Sequence, residues 1–248
     1  MRKRKLISIN VSEISYKEAL SQIIGLASEK KSSYVCVANV HMLVEAHKDR
    51  EFADIVNSAD LAVTDGMPLV KSLKILYGVS QDRIAGMDLL GDILKESENS
   101  GLSVFFYGST TEVLNLIKNR IGIDFPRLKT AGFYSPPFRN LTDKEESDVI
   151  NLIRESNANI VFVGLGCPKQ EQWMARMKGK INAVMIGIGG AFTMYAGLQT
   201  RAPQWMQRNG LEWFFRLLQE PKRLWKRYLT TNSYFIYLFL KYKLTKRT

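Results

Sequence analysis

The sequence predicts an α/β protein: a Rossmann-like, mostly parallel sheet with helices on both faces, plus a C-terminal helical appendage. Short β-rich runs alternate with amphipathic stretches through the first 200 residues, which is the pattern of a mostly parallel sheet. Three of these runs end in glycine-rich turns, at the ends of strands where such sheets bind ligands. The last 48 residues differ in charge and aromatic content from everything before them.

The alternation can be followed element by element. The predicted strands are the runs 34–37, 61–63, 103–107, 160–163 and 183–186. The predicted helices are the stretches 15–28, 88–97, 111–120 and 142–156. Thr142 and Glu145 have the spacing of a capping box, which supports the start of the last of these helices. We therefore expect the carboxyl ends of the strands to share one edge of the sheet.

Composition and apolar runs restrict the compartment. The two cysteines, Cys36 and Cys167, are too few for a disulfide framework and indicate a reducing environment. The basic start at residues 1–5 is followed by an apolar run too short for a signal peptide. The longest apolar run, residues 234–240, has seven residues, whereas a spanning helix needs about 20. We expect a cytoplasmic protein that lies peripherally on the inner face of the cell membrane.

The chain divides at residue 200 by charge. Residues 201–248 hold 11 Lys and Arg against 2 acidic residues, and 11 of the 26 aromatic residues. The net charge of the whole chain is +11, so residues 1–200 contribute little of it. We predict a Rossmann-like domain over 1–200 and a basic, aromatic, membrane-associating appendage over 201–248. A partner that is both polyanionic and apolar matches an anionic membrane surface better than a nucleic acid.

Within the appendage, Pro203 and Pro221 predict helix boundaries, and Asn232 is positioned to cap a final segment. One alternative is that the appendage simply docks on the core with its basic residues in solvent. The residues that would dock are Leu211, Phe214, Leu217 and Leu218. A second alternative is a nucleic-acid-binding protein that uses the basic tail.

The glycine-rich turns are candidate phosphate sites. They lie at 107–110, 164–170 and 187–190, where free backbone N–H groups and helix dipoles attract phosphate oxygens. Glycines also serve simply to make tight turns, and the sequence leaves both interpretations open. There is no G-x-x-x-x-G-K-[ST] motif, and Gly164–Gly166 lacks the third glycine of G-x-G-x-x-G. P-loop ATPases and nicotinamide oxidoreductases are therefore disfavoured.

Asp65 is the carboxylate of greatest interest. It ends a predicted strand and precedes Gly66 and Pro68, so it is either the N-cap of the next helix or a general base at the mouth of the cleft. Arg83 is either a surface residue or a cation that neutralises a leaving diphosphate.

Five further residues are candidates for the cleft. Asn39 ends a predicted strand, and Gln170 and Glu171 open a predicted helix, where Glu171 favours the helix dipole. His41 is predicted on a helix face rather than as a base. Cys167 has no histidine near it in sequence, which disfavours a nucleophilic role. No D-x-D motif occurs, so we expect neither a metal site nor a cofactor.

Several stretches together resemble the WecG/TagA/CpsF family of bacterial glycosyltransferases, glycosyltransferase family 26. The matching stretches are 38–43, 59–68, 83–89, 104–109, 132–138, 163–171, 186–192, 201–203, 210–213 and 216–228. The resemblance implies a Rossmann-like enzyme that moves a sugar from a UDP-sugar to a polyprenyl-diphosphate-linked sugar. The sugar is often N-acetylmannosamine or its uronic acid. The resemblance also implies that the reaction inverts the anomeric centre of the sugar, that it needs no metal ion, and that a C-terminal appendage lies at the membrane.

The resemblance also implies roles for individual residues. Asp65 falls at the general base, Arg83 at the arginine that assists the departing diphosphate, and Asn39 and Gln170 at polar residues of the cleft. The other residues expected at the UDP-sugar are Gly108, Tyr134, Gly166 and Gly189. The basic residues expected at the acceptor diphosphate and the membrane are Arg216, Arg223, Lys226 and Arg227.

Two positions depart from the family pattern. Val37 stands where many members have Thr, and Thr193 stands where many have Asp. These departures bear on the choice of donor sugar. The resemblance implies a UDP-sugar, a lipid-linked acceptor and an anionic membrane as partners, with no nucleic acid, and leaves a homo-oligomer open.

Overall fold

The computed structural model describes residues 2–246, so Met1, Arg247 and Thr248 of the two predicted domains lie outside the described residues. Two strands form an antiparallel hairpin, and six form a sheet in the order β4-β3-β8-β7-β5-β6 in which every neighbouring pair is parallel. The strands are β1 Lys3–Leu6, β2 Ile9–Ser12, β3 Ser33–Ala38, β4 Leu61–Thr64, β5 Ser103–Gly108, β6 Lys129–Tyr134, β7 Ile160–Gly164 and β8 Val184–Gly187. The predicted α/β class is confirmed.

Helices follow the strands. Those of the body are α1 Tyr16–Ser28, α2 Val40–Lys48, α3 Arg50–Asn57, α4 Met67–Tyr77, α5 Gly86–Ser100, α6 Thr111–Asp124, α7 Asp143–Glu155, α8 Lys169–Met177 and α9 Ala191–Tyr195. Those of the tail, the name used below for residues 201–246, are α10 Gln204–Asn209, α11 Glu212–Gln219 and α12 Pro221–Thr245. The predicted capping box at Thr142 is present at the start of α7.

Both faces of the sheet are covered, because alternate side chains of each strand point to opposite faces. In β3, Tyr34, Cys36 and Ala38 pack with α2, α3 and α8 on one face. Val35 and Val37 pack with α1, α5 and α6 on the other face. All these strand side chains are almost fully buried, as expected when helices cover a parallel sheet on both sides.

The β1–β2 hairpin and strand β6 are not among the strands predicted from the sequence. Residues of β6 are exposed or half-buried, because β6 lies at one edge of the sheet, whereas β4 at the other edge is fully buried. The residues of β6 therefore include no continuous apolar run to recognise. The hairpin was considered only as a signal-peptide start. It packs beside β4 instead, where the Ala62 N–H donates to Ser12 Oγ at 3.2 Å.

The tail differs from its prediction in two ways. Asn232 does not cap a final segment, because α12 continues through it from Pro221 to Thr245. Every residue of α11 keeps some exposure to solvent, with Phe214 42% and Leu218 63% exposed, so this helix does not dock on the core as the alternative proposed. Instead α12 packs on α2 and buries Phe235 in the core layer on that face of the sheet.

The outer side of α12 is apolar. Exposed residues recur along it at helical spacing: Trp225, Leu229, Ile236, Leu240 and Leu244. The opposite side of the helix carries Leu224, Thr231, Phe235 and Leu238, which are buried. Among residues 2–246, no helix combines the length and apolar character needed to span a membrane.

Candidate active site

The carboxyl ends of the sheet strands bring the predicted site residues into one row. Following the strand order, the row runs Asp65 after β4, Asn39 after β3, Gly189 after β8, Gly166 after β7 and Gly108 at the end of β5. Tyr134 ends β6 at the far edge. Neighbouring strands lie about 4.8 Å apart, so the strand carrying Asp65 is about 10 Å from the glycine turn of β8.

Asp65 does not cap the helix that follows it. Its own N–H donates to Ala38 O at 2.7 Å, which continues the β3–β4 pairing by one residue. Gly66 is the N-cap of α4, with φ +97° and no side-chain capping bond. Within residues 2–246, no hydrogen bond or salt bridge reaches the Asp65 carboxylate. The capping alternative is therefore wrong, and this carboxylate is available at the mouth of the cleft.

The surroundings of Asp65 favour its protonated form. Burial raises its pKa to about 7, the Glu212 carboxylate adds to this effect, and the guanidinium groups of Arg83 and Arg216 partly offset it. Its side chain retains some solvent exposure, but it is closely surrounded by protein atoms. A carboxylate with a pKa near neutrality is matched to proton transfer at physiological pH.

Arg83 lies beside Asp65 because its segment runs along the edge of β4. The Ile84 N–H donates to Thr64 O at 2.8 Å. The Arg83 guanidinium then reaches the tail: Nη1 donates to Glu212 Oε2 at 2.6 Å, and Nη2 donates to Gln207 Oε1 at 3.1 Å. Arg83 is therefore not a free surface residue, since its side chain is only 15% exposed.

Asn39 caps a helix at the end of β3 and keeps its amide nitrogen unbonded among residues 2–246. Its Oδ1 accepts the Met42 N–H at 3.1 Å and so caps α2. Its Nδ2 makes no hydrogen bond within the described chain, so this amide is available as a donor in the cleft. Capping as the role of Asn39 was not anticipated from the sequence.

Gln170 is fixed against two of the glycine turns. Its Oε1 accepts the Gly166 N–H at 3.1 Å, and a Cβ on Gly189 would lie 3.1 Å from the same oxygen. Its Nε2 donates to Glu171 Oε1 at 2.7 Å. Gln170 is 5% exposed, so the described structure gives it a role in shaping the turns rather than a free side chain in the cleft.

Glu171 is a buried carboxyl that the sequence analysis assigned to the helix dipole. It is fully buried, and burial raises its pKa to about 7, although hydrogen bonds from Gln170 and the Cys167 thiol oppose this shift. Its Oε2 has no hydrogen-bond partner among the described residues. Burial is also the main reason that the pKa of the Cys167 thiol is raised, which agrees with the expectation that Cys167 is no nucleophile.

The glycines have different reasons to be glycine. A Cβ on Gly108 (φ +112°) would lie 2.6 Å from the backbone of Gly164, so no larger residue fits between β5 and β7. Gly166 has φ +79° and open space around the missing Cβ. Gly108 therefore allows the strands to approach each other, whereas Gly166 leaves backbone accessible at the cleft.

Tyr134 closes the row at the edge strand. Its ring stacks on Tyr107 with 6.1 Å between centroids, and the next residue, Ser135, donates to Ser109 O at 2.7 Å. Tyr134 is half-buried. The edge strand thus presents a fixed aromatic ring beside the Gly108 turn.

The four basic residues predicted for the acceptor lie in two kinds of surroundings: two are half-buried against the body, and two lie at the surface of α12. Arg216 points at the β8 turn, with its Nη2 3.0 Å from where a Gly190 Cβ would lie. Arg227 is half-buried and lies near His41 on α2, where it helps to lower the His41 pKa after the main effect of burial. Arg223 pairs with Glu220, and Lys226 is exposed beside the Trp225 ring.

The two residues that depart from the family pattern, Val37 and Thr193, lie in different environments. Val37 is 5% exposed and belongs to the core. Thr193 Oγ1 donates to Gly190 O at 3.1 Å and also contacts Gln199 Oε1 at 3.1 Å. Thr193 therefore ties the β8 turn to the segment that leads into the tail.

Sequence reasoning missed the partners that the tail brings to the site. Glu212 pairs with Arg83. Arg201 forms a bidentate salt bridge with Asp88, in which Nη1 donates to Oδ1 at 2.5 Å and Nη2 donates to Oδ2 at 2.6 Å. These contacts join residues more than 100 positions apart. The only sequence signal was the presence of acidic residues inside an otherwise basic tail.

Comparison with known proteins places this α/β fold among the glycosyltransferases. The model of the Glycosyl transferase WecG/TagA/CpsF family matches residues 4–248. The chain belongs to this family, and the resemblance seen in the sequence is confirmed.

Relatives with printed functions align over most of the chain. The N-acetylglucosaminyldiphosphoundecaprenol N-acetyl-beta-D-mannosaminyltransferase of Bacillus subtilis (strain 168) is 32% identical over 221 residues, covering 89% of this chain and 84% of the relative. The enzyme of the same name from Bacillus spizizenii is 33% identical, covering 83% and 78%. That from Staphylococcus aureus (strain MW2) is 28% identical, covering 85% and 80%.

Proposed function

We propose that this chain is an inverting, metal-independent glycosyltransferase that moves a hexose from a UDP-sugar to a polyprenyl-diphosphate-linked sugar at an anionic membrane surface. The observation that carries the proposal is the placement of Asp65. This carboxylate has no side-chain partner in the described chain, its pKa is raised to about 7, and Arg83 and Arg216 flank it beside a row of glycine turns. The nucleic-acid-binding alternative gives Asp65 and the glycine turns no role, and the incomplete G-x-G-x-x-G motif disfavours an oxidoreductase.

These positions support a single displacement. Asp65 accepts the proton of the acceptor hydroxyl while that oxygen forms a bond to the anomeric carbon of the donor. The bond from the anomeric carbon to the diphosphate oxygen breaks in the same step, its electrons leave with UDP, and the anomeric centre inverts. Most of the catalytic effect comes from holding the two substrates in line and from stabilising the departing charge.

Two tail arginines, which the family resemblance implies lie at the acceptor's diphosphate, each have a donor suited to a phosphate oxygen. Arg216 and Arg227 each have a buried Nε that makes no hydrogen bond within residues 2–246. An unpaired buried donor on a cation is costly, and a diphosphate oxygen would supply the missing acceptor. Together with Arg83, such cationic side chains can neutralise the diphosphates without a metal ion, which is the basis for proposing metal independence.

The acceptor is expected to reach the site from the membrane. The outer side of α12 offers exposed apolar residues over about six helical turns, with Lys222 and Lys226 exposed near its start. Basic residues near an anionic surface contribute about 1 kcal/mol each. We propose that this side of α12 lies on the lipid headgroups and keeps the chain peripheral on the inner face of the membrane.

The names of the relatives support a particular donor. Enzymes about 30% identical to this chain are named as N-acetylmannosaminyl transferases that act on N-acetylglucosaminyldiphosphoundecaprenol. We propose the same donor sugar and acceptor class here, in the synthesis of a lipid-linked cell-surface polymer.

The test is a panel of UDP-sugars against a polyprenyl-diphosphate-linked N-acetylglucosamine, with chelator present and mass spectrometry as the readout. We expect the mass of one N-acetylhexosamine to be added from UDP-N-acetylmannosamine, and the new linkage to have the inverted configuration by NMR. Transfer to no lipid-linked acceptor, or transfer that requires added divalent metal, would contradict the proposal.

A further inference from the structure

The tail delivers a carboxylate to the mouth of the cleft. Gly210 ends α10 in the left-handed region (φ +77°), and its missing Cβ would lie 3.0 Å from the Cβ of Met67. This close approach sets α11 directly over the turn that follows Asp65. Glu212 is the first residue of α11, so its side chain enters the mouth of the cleft from above.

Once there, Glu212 holds Arg83. The Glu212 Oε2 to Arg83 Nη1 distance is 2.6 Å, and the two side chains are 24% and 15% exposed. Gln207, on the preceding tail helix, accepts from the other terminal nitrogen of Arg83. Both terminal nitrogens of Arg83 thus donate to the tail, while the body contributes a longer contact, with Asp88 Oδ2 3.9 Å from Nη2.

We propose that Glu212 is a positioning residue for the transfer. It fixes the orientation of the Arg83 guanidinium at the mouth of the cleft and places a second negative charge beside Asp65. The proposal rests on the proposed function, in which Asp65 is the base. Through Glu212, the seating of the tail sets the basicity of the body's carboxylate, which links the chemistry to the membrane-facing element.

The balance of charges around Asp65 gives the sign of the effect. The loop before α5 contributes Arg83, α5 contributes Asp88, α11 contributes Glu212 and Arg216, and the segment before α10 contributes Arg201. After burial, Glu212 is the largest influence that raises the Asp65 pKa. Removing its charge therefore lowers that pKa and leaves Arg83 free to lower it further, so Asp65 becomes a weaker base.

The experiment is Glu212→Gln in the full-length protein, with kcat/KM for the UDP-sugar measured from pH 5 to 9. We expect the midpoint of the acidic limb to move down by at least about 0.5 pH unit, and the plateau to fall about threefold because a weaker base transfers protons more slowly. Glu212→Asp keeps the charge and is expected to keep the wild-type midpoint. The matched control is Glu155→Gln at the exposed end of α7, which removes an equal charge at the opposite edge of the sheet, and its midpoint should stay in place.

A second readout does not depend on turnover. The Asp65 carboxyl is titrated by carbon-13 NMR of Asp-labelled protein, with its signal assigned by comparison with Asp65→Asn. We expect the Asp65 titration in Glu212→Gln to move down by at least about 0.5 pH unit. A folded Glu212→Gln variant in which this titration does not move overturns the inference, whatever its activity. If Asp65→Asn retains transfer while the titration moves, Asp65 is not the base and the proposed function needs a different one.

Discussion

The body is stabilised mainly by apolar packing, whereas the tail contacts the site mainly through charged side chains. The body buries continuous apolar layers on both faces of its sheet, so its strand ends are rigidly placed. The tail meets the site mainly through charged pairs, Arg83 with Glu212 and Arg201 with Asp88, and all of α11 is at least partly exposed. Polar interfaces of this kind are weaker and more readily rearranged than apolar cores. The comparison indicates that the body supplies fixed geometry, that α12 is attached to it through buried residues such as Phe235, and that α11 supplies an adjustable cover at the site.

The largest expected effect tests whether the chemistry belongs to the body. Asp65→Asn keeps the size of the side chain but removes the base, so transfer should fall by at least about 100-fold. UDP affinity, measured by calorimetry, should stay within a few fold of wild type. Turnover near the wild-type rate would remove Asp65 from the mechanism.

A chain ending at Thr200 tests whether the tail is separable. It loses Arg216 and Arg227, so we expect transfer to fall by at least about 100-fold, and vesicle flotation to be lost with α12. The body should still unfold in one cooperative transition by circular dichroism. Its midpoint should be lower, because α2 loses the cover that Phe235 provides. A truncated chain without a cooperative transition would show that residues 1–200 are not a domain.

Glu171→Gln tests the rigidity attributed to the body's core. The folded-state pKa of Glu171, about 7, lies above its usual value of 4.5, so the folded state binds the proton more tightly than the unfolded state. The contribution of this group to stability is therefore present below pH 4.5 and is lost as the pH rises to 7. Relative to wild type, the variant should gain roughly 2 kcal/mol in unfolding free energy at pH 8 compared with pH 5.

Urea unfolding at pH 5 and pH 8 measures this difference. Glu155→Gln, at an exposed position at the end of α7, is the matched control and should show the same pH dependence as wild type. Parallel pH profiles for Glu171→Gln and wild type would contradict the burial of an ionisable carboxyl beneath the glycine turns.

The smallest expected effect tests whether membrane binding belongs to the surface of the tail or to that of the body. Leu229→Glu and Leu240→Glu together place two charges on the outer side of α12, where the residues are 63% and 53% exposed. Affinity for anionic phospholipid vesicles should fall at least about tenfold, since each buried leucine contributes on the order of 1.5 kcal/mol or more. Ile123→Glu adds a charge at an 80% exposed apolar position on α6 and should leave vesicle binding unchanged. Equal losses in both variants would assign the effect to net charge alone.

Local patterns predicted the parts of the fold that depend on local physics. The buried strands around Val35 and Phe162 are apolar because both faces of the sheet are covered. The helix that begins after Thr142 was predictable from its capping box. The edge strand β6 was not predictable, because an exposed strand carries no continuous apolar run. The uninterrupted course of α12 through Asn232 was missed for a related reason: its packing on α2 outweighs a local capping preference.

The sequence by itself determined the α/β class, the family, the position of Asp65 at a strand end and the contrast in charge between body and tail. Each of these depends on the chain's own alternation, motifs and composition. Tertiary structure alone decided that Gln170 braces the glycine turns, that Glu171 is buried, and that Glu212 reaches Arg83 from 129 residues away. Such contacts arise from how strands order themselves in the sheet and how α11 seats over the cleft, and no local spacing in the chain encodes those distances.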